Sequence, residues 1–485
     1  MEKLLRSCDG TEKIYVLLRA KKGKNPEERL KEIVENSLFN QLRSINPEAV
    51  KKLIPICGDV SELRLGLSEE DTQTLIENID IVYHAAASVR FDDHLKNSLL
   101  LNTRGTREVV ELALGAKKRV TFVHVSTSYC NCDRKYVEEK LYPPHADWRH
   151  SLAIAEQLDE HTLDVLSEKY IHPLPNTYTF AKSLSEHVVN DLCKGRLLAT
   201  IIRPSVVIPT FNDPKAGWVD NFNGPMGLLS AGGKGILKIS YGSYDTTLDF
   251  VPVDVVVKTI LIATRETTVS NDLNHVEVYN IAAGKENTIS NRQLIELGGD
   301  LTWDVPFTQL LWYPSFSMTN NSYRYYITFL LYHLLPALLL DGLLKLIGKK
   351  PMLVKIQRKV YIANMALIYF MRNSFVFAND KAKDLSNRLI HSEKQTFSFL
   401  NCFDLTLQEI YCFYMKGKVE CSNILFKENY NRETGFRNTL ILWVMDYLLH
   451  IGIFSTIGWL LIAKIGILTY ITDAINNYIL YVEGL

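Results

Sequence analysis

Across the first 280 or so residues, short continuous apolar runs alternate with longer stretches in which apolar positions recur at helical spacing. The runs are Lys13–Arg19, Leu53–Val60, Ile79–Ala87 and Arg119–Ser128, and the last is centred on Tyr279-Asn280-Ile281. Between them, Pro26–Leu53 and Lys96–Leu114 read as helical. Strands that are nearly all apolar and alternate with helices predict a parallel sheet covered on both faces, so the fold class is α/β, doubly wound. Beyond residue 325 the pattern changes. Residues 325–344 (YYITFLLYHLLPALLLDGLL) are apolar but broken by His333, Pro336 and Asp341, which suits an interfacial or re-entrant helix better than a clean span. Residues 439–472 are apolar with only Asp446, His450 and Lys464 as breaks, and within them Ile451–Tyr470 is long enough to cross a ~30 Å hydrocarbon layer.

At 485 residues the chain exceeds what one core organises, so more than one domain is expected. Lysine plus arginine equals aspartate plus glutamate at 54 each, with no basic tract, which argues against nucleic acid as a partner. The eight cysteines form no C-x-x-C pair and no secretory leader is evident, which fits a reduced, cytosol-facing setting.

The chemistry is expected in Asn176–Glu186, where Tyr178 and Lys182 are four residues apart in a helical stretch and therefore share a face. An ammonium beside a phenol is expected to lower the phenol's pKa, so that Tyr178 can exchange a proton with a carbonyl oxygen near neutral pH. Such a pair is a weak signal alone. The strand ends add to it, because ligands of such sheets bind at the carboxyl edge. Arg19 can pair with a 2′-phosphate, and a solvated strand-end arginine is the competing reading. Asp59 can accept hydrogen bonds from an adenine amine. Ala85, Ala86 and Ala87 let a backbone approach a cofactor without clash. Ser126 and Thr127 can hold a substrate carbonyl near Tyr178, or simply cap a turn.

Several of these stretches together resemble the fatty acyl-CoA reductases, within the extended short-chain dehydrogenase/reductases: LLR at 17–19, GDV at 58–60, HAAASVRF at 84–91, NTRGT at 102–106, HVSTSYCN at 124–131, YTFAK at 178–182, RPSV at 203–206, GWVDNFNGPMG at 217–227, DFVPVD at 249–254 and KKPMLVKIQRKV at 349–360. The resemblance implies a Rossmann-like NADP-binding reductase domain over 1–300, an apolar interfacial linker over 301–348, a helical C-terminal domain over 349–430 and a membrane anchor over 439–472. It implies NADPH as cofactor and long-chain fatty acyl-CoA as substrate, reduced through a bound aldehyde to a primary alcohol. Tyr178 is the expected proton donor and Lys182 its partner, which also holds the nicotinamide ribose. Thr127, with Ser126 as rival, is expected at the oxyanion. Val60, Asn102 and Pro204 join the expected cofactor contacts, and Trp218 and Asn221 the substrate contacts. A catalytically inert membrane-bound isoform and another extended-family oxidoreductase or epimerase are the alternatives. The basic residues Lys427, Arg432 and Arg437 before the anchor, against Asp473 and Glu483 after it, put the catalytic bulk on the cytosolic side of an endoplasmic reticulum or peroxisomal membrane. Whether the chain pairs as a homodimer is left open.

The family opens with a strand, a glycine-rich phosphate turn and a helix, whereas this sequence starts inside that helix, so an N-terminally shortened record is expected. The strand lacking is the middle one of a 3-2-1-4-5-6 sheet. The strand at 13–19 must then either pair directly with that at 79–87 or leave a gap between them.

Overall fold

The computed structural model describes residues 1–21, 23–402, 406–464 and 466–483. The sheet strands are β1 (Ile14–Leu18), β2 (Leu53–Cys57), β3 (Ile81–His84), β4 (Thr121–Val125), β5 (Leu198–Pro204) and β6 (Glu277–Ile281). Four of them form one parallel sheet in the order β6-β5-β4-β3, with Ile81 opposite Thr121, Thr121 opposite Leu198 and Thr200 opposite Glu277. Alternate residues serve its two faces. Phe122, Ile201 and Val278 pack in one cluster with Val110 and Val189 of the helices Gly105–Leu114 and Thr177–Cys193. Val123, Ile202 and Tyr279 pack in another with Val255 and Ile262 of the helix Val253–Ser270. The sheet is therefore doubly wound.

β1 and β2 pair in parallel with each other, Ile14 opposite Leu53, as a separate ribbon over its own cluster of Leu18, Leu30, Phe39 and Leu42. Among the described residues no ladder joins β1 to β3. Of the two arrangements open to the strand at 13–19, the structure takes the gap. The flanking strands remain half-covered, and Ile81 of β3 is 43% exposed.

The C-terminal helices return to this body. Val376–Phe377 adds in parallel to Tyr136–Val137. Phe370, Phe375 and Phe377 each set an edge against the Tyr129 ring, with centroids 5.2, 5.6 and 5.0 Å away. Glu139 accepts the N–H groups of Lys381 and Ala382 at 2.6 and 3.0 Å, capping the helix Asp380–Asn387. Helices Ser322–Phe329 and Leu335–Leu346, joined through a wider turn at Leu330–Leu334, run beside Leu353–Arg372. Among the described residues, two segments have the length and apolar character to cross a membrane, Ser322–Leu346 and Arg432–Ile462. The second lies on Arg432–Lys464, and a further helix follows over Ile467–Glu483. Gly466 between them has φ +70°, the left-handed conformation that ends a helix, so the expected span Ile451–Tyr470 is divided between two helices. The chain is membrane-associated.

Candidate active site

Tyr178 and Lys182 lie on the helix Thr177–Cys193, which starts where the Asn176 side chain accepts the Thr179 N–H at 2.9 Å. One turn apart, both side chains point to the carboxyl edge of the sheet. Lys182 Nζ donates to the Val125 carbonyl at the end of β4, at 2.8 Å. Burial lowers the Lys182 ammonium to about 8, partly opposed by Glu186. For Tyr178 the outcome differs from expectation. Burial raises the phenol well above its usual value, with the Thr127 hydroxyl beside it pulling the other way. Burial is the dominant influence on the phenol, while the hydrogen bond of the ammonium goes to the Val125 carbonyl. Tyr178 is thus held protonated, as an acid.

The two rival hydroxyls separate. Thr127 stands against the Tyr178 phenol and bonds the Pro204 carbonyl at 3.4 Å, which gives Pro204 a positioning contact at the end of β5. Ser126 is buried toward Glu186 and Cys130, without a well-formed partner. Behind Lys182 lies the pair Glu186–Arg203, joined by two bonds at 2.8 and 2.6 Å with both side chains essentially inaccessible. Burial works to raise the Glu186 carboxyl, but the guanidinium holds it below the usual carboxylate range. His84 and His124, opposite one another in β3 and β4, are both kept neutral by burial and by the Lys182 charge, His84 down to about 3.

The expected cofactor residues line the strand ends. Ala85 and Ala86 are exposed beyond β3 and Ala87 is half-buried. Asn102 fixes that loop at two points, accepting the Ser88 N–H at 2.8 Å and donating to the Ser88 carbonyl at 3.1 Å. A β-carbon on Gly105 would meet the Val60 carbonyl at 2.7 Å, so the glycine of the NTRGT stretch lets its helix pass the loop after β2, and Val60 serves that packing. Arg19, half-exposed, bonds Asp59 at 3.2 Å across the ends of β1 and β2. Desolvation acts to raise Asp59, but the Ser61 N–H and hydroxyl and Arg19 hold it low.

Next to Tyr178 opens a cleft of about 610 Å³ bounded by Phe91, Pro175, Asn176 and the Met365–Asn373 end of the helix Leu353–Arg372. Phe91 stacks on the Tyr178 ring with centroids 5.5 Å apart. The structure does not bring Trp218 or Asn221 to this cleft. Trp218 Nε1 donates to Asn36 at 3.1 Å, tying its loop to the N-terminal ribbon. Asn221 is exposed and bonds its neighbour Asp220 and the Asn223 N–H. Phe91, Glu186 and the 365–373 segment escaped the sequence reading. Glu186 was one turn beyond Lys182 on the same face and could have been found; the 365–373 segment carries no motif.

A doubly wound parallel sheet with tyrosine and lysine one turn apart under its carboxyl edge defines an extended short-chain dehydrogenase/reductase. Profiles described as male sterility protein match residues 1–260 and 332–419. Fatty acyl-CoA reductase 1 of Xenopus laevis is 38% identical over 406 residues, covering 82% of this chain and 77% of that protein. Fatty acyl-CoA reductase wat of Drosophila melanogaster is 37% identical over 399 residues with the same coverage of 82% and 77%. The chain belongs to the fatty acyl-CoA reductase family. The fold is shared with the solved reductase domain of a nonribosomal peptide synthetase from Mycobacterium tuberculosis, at TM-score 0.58 and 17% identity over 88% of each chain.

Proposed function

We propose that this protein reduces long-chain fatty acyl-CoA to the primary fatty alcohol with NADPH, releasing coenzyme A. The observation that carries the reading is the Tyr178–Lys182 pair, with Thr127 at the phenol and Phe91 stacked between the phenol and a cleft walled by the 365–373 segment. The strand ends fit a dinucleotide. Arg19 is 52% exposed and keeps donors free for a 2′-phosphate while Asp59 fixes its orientation. The exposed Ala85 and Ala86 leave room for a close approach at the middle of the edge.

NADPH supplies hydride to the carbonyl carbon. As charge develops on the carbonyl oxygen, Tyr178 gives it a proton and Thr127 stabilises it by a hydrogen bond. The tetrahedral hemithioacetal then collapses, the C–S bond breaks and coenzyme A leaves as the thiol, giving the aldehyde. Once the phenolate has been reprotonated from solvent, Tyr178 gives a second proton to the aldehyde oxygen as a second NADPH would supply hydride, so two NADPH would be oxidised for each alcohol formed. The Lys182 ammonium, fixed on the Val125 carbonyl, supplies positive charge beside the phenolate that forms each time. The catalytic body faces the cytosolic side of the membrane, a reading supported by the basic residues Lys427, Arg432 and Arg437 ahead of the apolar stretch.

The test is incubation of the full chain, in detergent or vesicles, with palmitoyl-CoA and NADPH. Expected is hexadecanol by mass spectrometry with two NADPH consumed per alcohol. A folded protein that forms neither aldehyde nor alcohol overturns the reading.

A further inference from the structure

The segment Ser322–Leu346 is built inside out. Its buried positions are Tyr325, His333, Ala337 and Asp341, and three of these four are polar. Each polar one is spent on a fastening. The Tyr325 hydroxyl receives Asn364 Nδ2 at 3.1 Å. His333 Nε2 accepts the Lys238 N–H at 3.1 Å while its other nitrogen meets Gln357 Oε1 at 2.9 Å. Asp341 accepts three N–H groups, from Met352, Leu353 and Val354, each at 2.9 Å, and so caps the helix Leu353–Arg372. These bonds fix the rotation of the segment, and with it what points away from the protein. The outward residues are leucines: Leu331, Leu335, Leu338, Leu339 and Leu346 are between 44% and 83% exposed. Amphipathic surface helices in water have the reverse arrangement, and a contiguous apolar face of this size marks a contact with something apolar.

We propose that this outward face lies in the headgroup–acyl boundary of a bilayer with anionic headgroups, as a membrane contact separate from the terminal anchor. Two observations favour lipid over a second copy of the chain. The face is continuous with the apolar helix Arg432–Lys464: Tyr332 stacks on His450 with centroids 5.7 Å apart and its hydroxyl meets His450 Nε2 at 3.2 Å. Its ends are also those of an interfacial element. Exposed tyrosines, Tyr323 and Tyr326, stand at one end, and exposed cations, Lys345, Lys349 and Lys350, at the other. Tyrosine belongs at the headgroup level, and clustered lysines are drawn to an anionic surface. The segment therefore lies along the surface and does not cross, because its inner face is bonded to protein throughout its length.

The test is photolabelling of the full chain in vesicles of phosphatidylcholine and phosphatidylserine that contain a phosphatidylcholine with a diazirine on its acyl chain, read by peptide mass spectrometry. Expected is label on peptides from 326–346 as well as from 440–462, with the former falling several-fold when phosphatidylserine is replaced by phosphatidylcholine. Leu338→Glu with Leu339→Glu should remove label from 326–346 and leave 440–462 unchanged; both side chains are exposed, so the fold persists in detergent. Label confined to 440–462 in the unaltered protein overturns the proposal. So does intermolecular cross-linking between two 326–346 peptides, which would make a second copy the occupant, or labelling indifferent to phosphatidylserine. None of these outcomes depends on reductase activity.

Discussion

The helix Thr177–Cys193 and the segment Ser322–Leu346 are both strongly apolar for part of their length, and they use burial in opposite ways. The first is enclosed on nearly every side, with Phe180, Ala181, Leu184 and Val188 inaccessible in the core and Lys182 and Glu186 buried among them. There, enclosure tunes chemistry: it lowers Lys182 and raises Tyr178. The second buries its few polar side chains and leaves its leucines outside. There, enclosure only fastens, and the exposed surface is what does the work. In the first helix Lys182 and Glu186 set the electrostatics beside the phenol, whereas in the second Tyr325, His333 and Asp341 serve attachment.

The sharpest way to break this contrast is at Tyr178. Tyr178→Phe removes the proposed proton donor but keeps the ring that stacks on Phe91, so turnover should fall by about 10²–10⁴-fold with the melting temperature unchanged. Near-normal turnover would remove Tyr178 from the mechanism. Glu186→Gln should come next. It leaves Arg203 charged and buried without its counter-ion, at a cost of roughly 3–5 kcal/mol of stability, read as the denaturant midpoint in detergent. On the other helix, Leu339→Gln should change that midpoint by no more than about 0.5 kcal/mol, because the side chain touches little protein. Equal losses from the two variants would mean that the outward face is covered by protein after all.

Lys182 gives a pH dependence. Its ammonium is lost at about 8 in the folded protein, below its ordinary 10.5, so the charge that supports the phenolate is present below that pH and disappears as pH rises through it. Initial rates of aldehyde reduction, which avoid alkaline hydrolysis of the thioester, should decline above pH 8 and approach a tenfold loss per unit. A rate that stays flat to pH 10 would show that the ammonium is not needed. For stability the sign is opposite. Between about 8 and 10.5 the unfolded chain holds more protons at this site, so this group's contribution to stability rises with pH across that window.

What could be read from the sequence was local. The strands fall within a few residues of their apolar runs, and the Tyr178 helix begins at Thr177 because Asn176 is a capping residue in sight of any reader. The breaks His333 and Asp341 in the apolar segment were visible, and they argued for an interfacial helix over a plain span. Their purpose was not visible, because Lys238, Gln357 and the 352–354 backbone are distant or unmarked in sequence. The same holds for the phenol. Spacing put Lys182 beside Tyr178, but only the fold shows that the ammonium is committed to the Val125 carbonyl and that burial decides the phenol's pKa. A motif carried Trp218 toward the substrate, and a hydrogen bond to Asn36, some 180 residues earlier, holds it elsewhere.

That last displacement gives the smallest and most discriminating prediction. Phe91 lies between the cleft and Tyr178, whereas Trp218 braces a loop against the N-terminal ribbon. An aromatic pair of this kind is worth about 0.5–1.5 kcal/mol beyond its buried area. Phe91→Ala should therefore cost at least about 0.5–1.5 kcal/mol of stability and also raise KM for acyl-CoA or lower kcat, because the ring both stacks on Tyr178 and walls the cleft. Trp218→Phe deletes one hydrogen bond, worth about 1 kcal/mol of stability, and should leave KM and kcat where they were. If Trp218→Phe shifts KM and Phe91→Ala does not, the acyl chain runs past the 217–227 segment and the cleft at Tyr178 serves something else. The two variants measured side by side thus locate the substrate, because each alters one wall and leaves Tyr178, Lys182 and Thr127 in place.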